Sequence, residues 1–204
     1  LFVGLVLMMI FTVWHLLTHT SGLPDHNNDT DYFDTRIMDD PTTNFTPEEV
    51  FEVVRSLPSH FAPGDEYSYC DTGYYILHLI IENRNTNGWS YADFIRNHLI
   101  QPLGLTNTFV PDSSNAYLFE IPGNHIRGYL LDEDTDTFTD VTEVGQSWDL
   151  GCGGMVSSTK DLTTWIKALH SGGVLNPSSQ AELEAITVQS RQAGTMYGMA
   201  TEYS

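Results

Sequence analysis

The sequence predicts an α+β chain in which helices dominate and one antiparallel strand pair carries the β structure. Three observations predict it. Helix-start signals precede apolar runs at Thr46-Pro47-Glu48-Glu49, Ser90-Tyr91-Ala92-Asp93, Ser158 to Asp161 and Asn176-Pro177. The run Tyr74-Tyr75-Ile76-Leu77-His78-Leu79-Ile80-Ile81 is apolar nearly all round, as a buried helix requires. Residues 126–131 and 138–144 read as two strands around an acidic connection.

From the start of the chain, residues 1–17 are almost continuously apolar. The run is short for a membrane span and lacks a basic flank, so residues 1–10 are read either as a core helix or as the vestige of an anchor. Residues 11–204 form the remaining domain. His15 and His19 lie four apart, but no third ligand follows at zinc-site spacing, so both are taken as structural. Thr18-His19-Thr20-Ser21-Gly22 marks a helix end and a turn. Residues 25–44, rich in Asp, Asn and Thr, read as a long surface loop. A short helix follows over 47–56, with Val50, Phe51 and Val54 on one face.

Next, the Pro63-Gly64 turn delivers Tyr69 to the mouth of the apolar helix, and Asp71 or Thr72 is expected to cap it. Tyr69 then sits on a loop held by a core element, a common place for a catalytic group. Packing at a helix entrance is the simpler reading of these residues alone. After a turn at 83–88, a helix runs from Ser90 through Ile100 and ends before Pro102.

The acidic connection mimics a calcium loop. Asp132, Asp134, Asp136, Phe138, Asp140 and Glu143 fall at its ligand positions, but Thr137 stands where a glycine must make the sharp turn. A solvated acidic hairpin is expected instead. Ser157-Ser158-Thr159-Lys160 fits a Ser-x-x-Lys nucleophile and base. Ser158 and Asp161 also read as a capping pair, after which Leu162, Trp165, Ile166 and Leu169 recur at helical spacing. A last helix is expected from Asn176-Pro177 through about Val188.

With 27 acidic against 8 basic residues, the 204-residue chain carries a formal charge of −19. That excludes nucleic-acid binding through a basic face. Lysine occurs only at Lys160 and Lys167. Cys70 and Cys152 permit one disulfide, which their spacing does not demand. Asn28-Asp29-Thr30 and Asn44-Phe45-Thr46 are glycosylation sequons, meaningful only in a eukaryotic secretory pathway.

Two stretches, His15 to Pro24 and Tyr67 to Tyr74, resemble the penicillin-recognising serine hydrolases: class C β-lactamases, D-alanyl-D-alanine carboxypeptidases, D-aminopeptidases and related esterases. Gln101 to Thr108 and Gly153 to Leu162 match further, in the family's order, from Phe11 to Tyr197. The resemblance implies a β-lactamase/transpeptidase-like fold, of which the chain covers chiefly the helical domain and part of the antiparallel sheet region. It implies an acyl-serine hydrolase acting on small peptides, esters or β-lactams without a cofactor, in an extracytoplasmic setting. Tyr69 takes the tyrosine of the family's Tyr-x-Asn motif, as general acid/base, and Asp71 replaces the Asn. Trp148, Gly153 and Gly154 fall where a substrate pocket is walled, though a core Trp fits the residues as well.

Family order places the nucleophile upstream of the His15–Pro24 stretch, so the Ser157/Lys160 copy is out of position. The family's late-strand motif, Lys-Thr-Gly or His-x-Gly, is expected beyond Ser204. The chain is therefore expected to be a fragment, inactive as given. The rival expectation is a non-catalytic homologue that binds peptide or a protein partner, membrane-tethered through residues 1–17. A chain short of both ends of its sheet exposes strand edges, and marginal stability is expected.

Overall fold

The structure, a computed structural model, describes residues 10–112, 125–132 and 135–202. Residues 1–9 of the apolar segment and Asp134 of the acidic connection lie outside the described residues.

Helix α1 (Val13–Leu17) opens on Thr12, whose hydroxyl accepts from the His15 backbone N–H while His15 Nδ1 accepts from the Thr12 N–H. His15 is thus half of a reciprocal cap. The chain then leaves the helix and stays inside: Thr18, His19, Thr20, Ser21, Asp25 and His26 are each at most 2% exposed. Buried irregular backbone must find hydrogen-bond partners. The segment before the central helix supplies them. Gly64 N–H donates to Thr20 O (2.8 Å), His60 N–H to Gly22 O (3.0 Å) and Ser68 N–H to His19 O (3.0 Å). Gly22 lies at φ +71°, with the Phe61 carbonyl where a Cβ would stand, so only glycine lets the two strips lie this close.

The expected surface loop over 25–44 is corrected by the structure. It contains helix α2 (Tyr32–Asp39), which buries Phe33 and Ile37. Those two residues are four apart on one face, a short signal among many polar neighbours. Helix α3 (Pro47–Ser56) matches its expected bounds, with a complete capping box between Thr46 and Glu49. Helix α4 (Asp71–Arg84) begins one residue earlier than a cap at Asp71 or Thr72 would place it. Cys70 is the N-cap, and the Asp71 and Thr72 side chains bond elsewhere. Gly73 of α4 lies against Leu16 of α1, where an added Cβ would stand 3.3 Å from the Leu16 carbonyl oxygen. The core comprises Phe33, Ile37, Phe45, Val50, Tyr75 and Leu150.

Helix α5 (Tyr91–Ile95) continues through a π turn (Arg96–Ile100) into α6 (Gln101–Leu103), rather than stopping before Pro102. The wider turn relieves the clash that Pro102 would make with a tightly wound preceding turn. Gly104, at φ +65°, ends it with a bond from Leu105 N–H back to Ile100 O. Strands β1 (Tyr129–Asp132) and β2 (Thr137–Asp140) pair antiparallel, shorter than expected, and β2 is exposed throughout. Helix α7 (Thr159–His170) is capped by Ser158. The last expected helix divides into α8 (Pro177–Glu184) and α9 (Val188–Gln192), because Thr187 acts as a second cap by accepting from Ser190 N–H.

Candidate active site

Tyr69 ends the strip that is laced to His19, one residue before the α4 cap. It is 50% exposed, so the phenol is both held and reachable. The Asp71 carboxylate stands near its hydroxyl, and its pKa is pushed above the ordinary phenol value, first by burial and then by that carboxylate. The sequence predicts that sign: an anion beside a phenol disfavours phenolate. Every charge acting on Tyr69 here, from Asp71, Tyr197 and Cys152, is acidic.

Asp71 is half-buried in the first turn of α4. Asn27 Nδ2 donates to its Oδ2 at 2.8 Å and reaches Asp149 Oδ1 at 3.4 Å. One amide thereby bridges two carboxyl groups. Burial raises the Asp71 pKa and lifts that of Asp149 to about 6, with the other carboxylates adding to it. Neighbouring carboxyl groups resist simultaneous ionisation, so Asp149 keeps its proton into the mildly acidic range. Asn27 Oδ1 is buried with no hydrogen-bond partner.

Behind this pair, His26 Nε2 faces the Trp148 carbonyl (2.9 Å), which only accepts, so the proton sits on Nε2. Nδ1 then accepts from the Thr72 hydroxyl (2.9 Å), whose oxygen accepts from His26 N–H (3.0 Å). Burial lowers the pKa of His26 and keeps it neutral. This arrangement anchors the N-terminus of α4 to the Trp148–Asp149 strip.

Trp148 stacks on Phe33 (5.9 Å between centroids, 11° between planes) and donates its indole N–H to Gly145 O. It packs against the core cluster, which is the second of the two sequence readings. Gly153 has a structural reason to lack a side chain: a Cβ there would collide with the Asp149 carboxylate. Gly154 lies at φ +74°. Ser157 is placed beside Thr108 by the Phe109–Val156 bridge, with its Oγ 2.9 Å from Thr108 Oγ1. Thr108 in turn donates to the buried Asp161 (3.0 Å). Lys160 is exposed, and Ser158 caps α7 by accepting from Asp161 N–H. The Ser157 hydroxyl is turned to Thr108 and not to a lysine. Cys70 and Cys152 are free thiols.

Sequence reasoning missed Asn27, Asp149 and the role of His26. Asn27 was hidden inside a polar tract, and Asp149 follows a Trp that drew the attention. The usable signal was Asp25-His26-Asn27, three polar side chains directly after the resemblance stretch, two of which bond to the first turn of α4.

A family profile described as beta-lactamase matches residues 11–201. A penicillin-binding protein of Bacillus subtilis is 28% identical over 184 residues, covering 83% of this chain and 38% of its own. A D-aminopeptidase of Brucella anthropi is 26% identical over 170 residues, covering 80% and 30%. Among solved structures, a D-stereospecific amidohydrolase from Streptomyces superposes with a TM-score of 0.81 at 26% identity, covering 93% of this chain and 55% of that one. The chain thus spans a third or so of the curated relatives and about half of the structural one. The fold is β-lactamase/transpeptidase-like, represented here by helices and a two-stranded sheet. The chain belongs to the beta-lactamase family.

Proposed function

We propose that these residues are the tyrosine-bearing part of an acyl-serine hydrolase that cleaves amide or ester bonds in small peptide-like substrates. The observation that carries the reading is Tyr69. Its half-exposed phenol stands beside the Asp71 carboxylate and is mounted at the buried start of α4, in the family's motif position. In that role Tyr69 moves the proton of the attacking hydroxyl beside the Asp71 carboxylate, which Asn27 orients. A phenol with ordinary pKa near ~10 needs a nearby cation to act as a base. The charges on Tyr69 here are all acidic, so we assign both the serine and its lysine to segments outside these 204 residues. The relatives named for D-amino-acid substrates favour D-configured amides or peptides. An extracytoplasmic location, with residues 1–17 as a tether, accompanies this reading; no helix among the described residues is long and apolar enough to cross a membrane.

The second reading, a non-catalytic homologue that binds peptide, is favoured by the same acidic surroundings of Tyr69. Labelling with a fluorescent penicillin or a fluorophosphonate, read by intact mass, separates the two. The expected result is no adduct on the isolated chain and labelling once an upstream Ser-x-x-Lys segment is joined to it. In that active form Tyr69→Phe is expected to cost about 10²–10⁴-fold in kcat. An adduct mapped to Ser157 overturns the assignment of the nucleophile to another segment. No adduct in either form favours the binding protein.

A further inference from the structure

His19 makes three contacts with three consecutive residues. Its carbonyl accepts from Ser68 N–H at 3.0 Å, and its Nδ1 accepts from Cys70 N–H at 3.1 Å. Between them its ring lies on the Tyr69 ring, 4.3 Å between centroids and tilted by 36°. The residue does this from φ +54°, a left-handed conformation that a non-glycine residue holds only when its surroundings demand it. Two hydrogen bonds flank the phenol-bearing residue, and a ring contact fixes the phenol itself.

The protons of this arrangement can be assigned. Nδ1 accepts a backbone N–H, so the neutral ring carries its proton on Nε2. Nε2 lies 3.0 Å from Tyr197 Oη and donates to it. Tyr74 Oη donates to the Leu17 carbonyl at 2.9 Å, with Tyr197 beside it. Burial opposes a second proton on His19 and holds its pKa at about 4, outweighing the Cys70 backbone, which raises it. Tyr67, Tyr69, Tyr74 and Tyr197 face the ring, with Asp25 the nearby carboxylate that weakly favours protonation.

We propose that His19 is a positioning residue for Tyr69: as a neutral, tautomer-locked imidazole it clamps the backbone on both sides of the tyrosine and fixes the plane of its ring. This rests on the reading of Tyr69 as the proton-transfer group. His19 exchanges no proton with substrate and acts only through the tyrosine.

Two measurements test it. On the chain itself, ¹⁵N resonances of His19 at neutral pH are expected to show Nε2 protonated and Nδ1 bare. The Tyr69 ring signals are expected to shift in His19→Asn, which keeps an acceptor near Nδ1 but loses the ring. A protonated Nδ1, or Tyr69 signals unmoved by the substitution, overturns the proposal, and the tautomer measurement needs no variant to fold. In the full-length protein acting on a D-amino-acid amide, His19→Gln is expected to lower kcat about tenfold or more with KM changed far less. His19→Asn should recover part of that loss. The double variant with Tyr69→Phe should be no slower than Tyr69→Phe alone, because the two act as one unit. Additive losses mean that His19 supports the fold generally, and the proposal fails. If Tyr69→Phe alone costs nothing, it is the reading of Tyr69 that fails, and the resonance data then decide whether the clamp exists.

Discussion

His19 and His78 share a condition that makes the protein sensitive to acid. Each is 1% exposed, and burial holds each pKa at about 4 against 6.5 in an unfolded chain. Between these values the unfolded state binds protons that the folded state refuses, so stability falls as pH drops from about 6.5 towards 4. Asp149 works the other way. Its folded pKa of about 6 lies above 3.8, so the folded state holds the extra proton and stability falls as pH rises through that window. Asp71 is raised in the same direction as Asp149, so three lowered histidines stand against two raised carboxyls. Urea unfolding at pH 7, 6, 5 and 4 should therefore show a net loss on acidification, of order a few kcal/mol. In Asp149→Asn the loss should be steeper, because one of the two opposing carboxyls is gone; an unchanged or rising stability towards pH 4 contradicts the assignment. The thiols give a second check at this scale. Burial lifts the Cys70 pKa to about 12 and raises that of Cys152 further. Both should react slowly with a thiol reagent at pH 8 in the native state and at once in denaturant; fast native labelling of either is evidence against the packing described.

At the scale of elements, what was legible in the sequence was whatever local chemistry decides. Thr46-Pro47-Glu48-Glu49 gave α3 its start because the cap, the proline and the reciprocal Glu49 bond all lie within one turn. Thr46→Ala should cost about 1 kcal/mol and shift the thermal midpoint accordingly, with Glu49→Ala recovering little further loss in that background. What stayed hidden depends on partners far along the chain. Phe33 and Ile37 form a helix face only because Phe45, Val50 and Trp148 are there to receive it. Asp71 was taken as a cap because its type is right, but Asn27, 44 residues away, claims its carboxylate and leaves the cap to Cys70. The run past Pro102 was missed for a related reason: the π turn that accommodates it has no composition of its own. The placement of Tyr69 at the mouth of α4 was legible, whereas the neighbours of Asp71, Asn27 and Asp149, were not. Strands β1 and β2 on either side of the acidic connection pair as the expected hairpin. Asp140 is held by Arg127 (3.0 Å) and by the Thr142 hydroxyl and N–H, and Thr137 is in strand β2. Millimolar calcium should leave the thermal midpoint unchanged; a rise of several degrees overturns that view.

For the molecule as a whole, apolar exposure and charge act in opposite directions. Leu162 and Ile166 of α7 are 49% and 55% exposed, and Met155 beside them is 46% exposed. With Tyr91, Ile95, Leu99 and Trp165, Leu162 and Met155 border an open apolar groove of about 310 Å³. The β1–β2 hairpin exposes Leu130, Leu131 and Phe138, and among the described residues it pairs with no further strand. A two-stranded sheet is marginal in water and leaves edges open to other chains. Against this, a formal charge of −19 makes every copy repel every other. That repulsion is screened by salt, with a Debye length near ~10 Å at 0.1 M, whereas apolar association is not. The isolated chain is therefore expected to stay dispersed at low ionic strength and to scatter light increasingly as salt is raised. Its thermal transition should be broad and should move with protein concentration. A sharp, reversible transition that is independent of both salt and concentration would show that these surfaces are already sufficient to themselves.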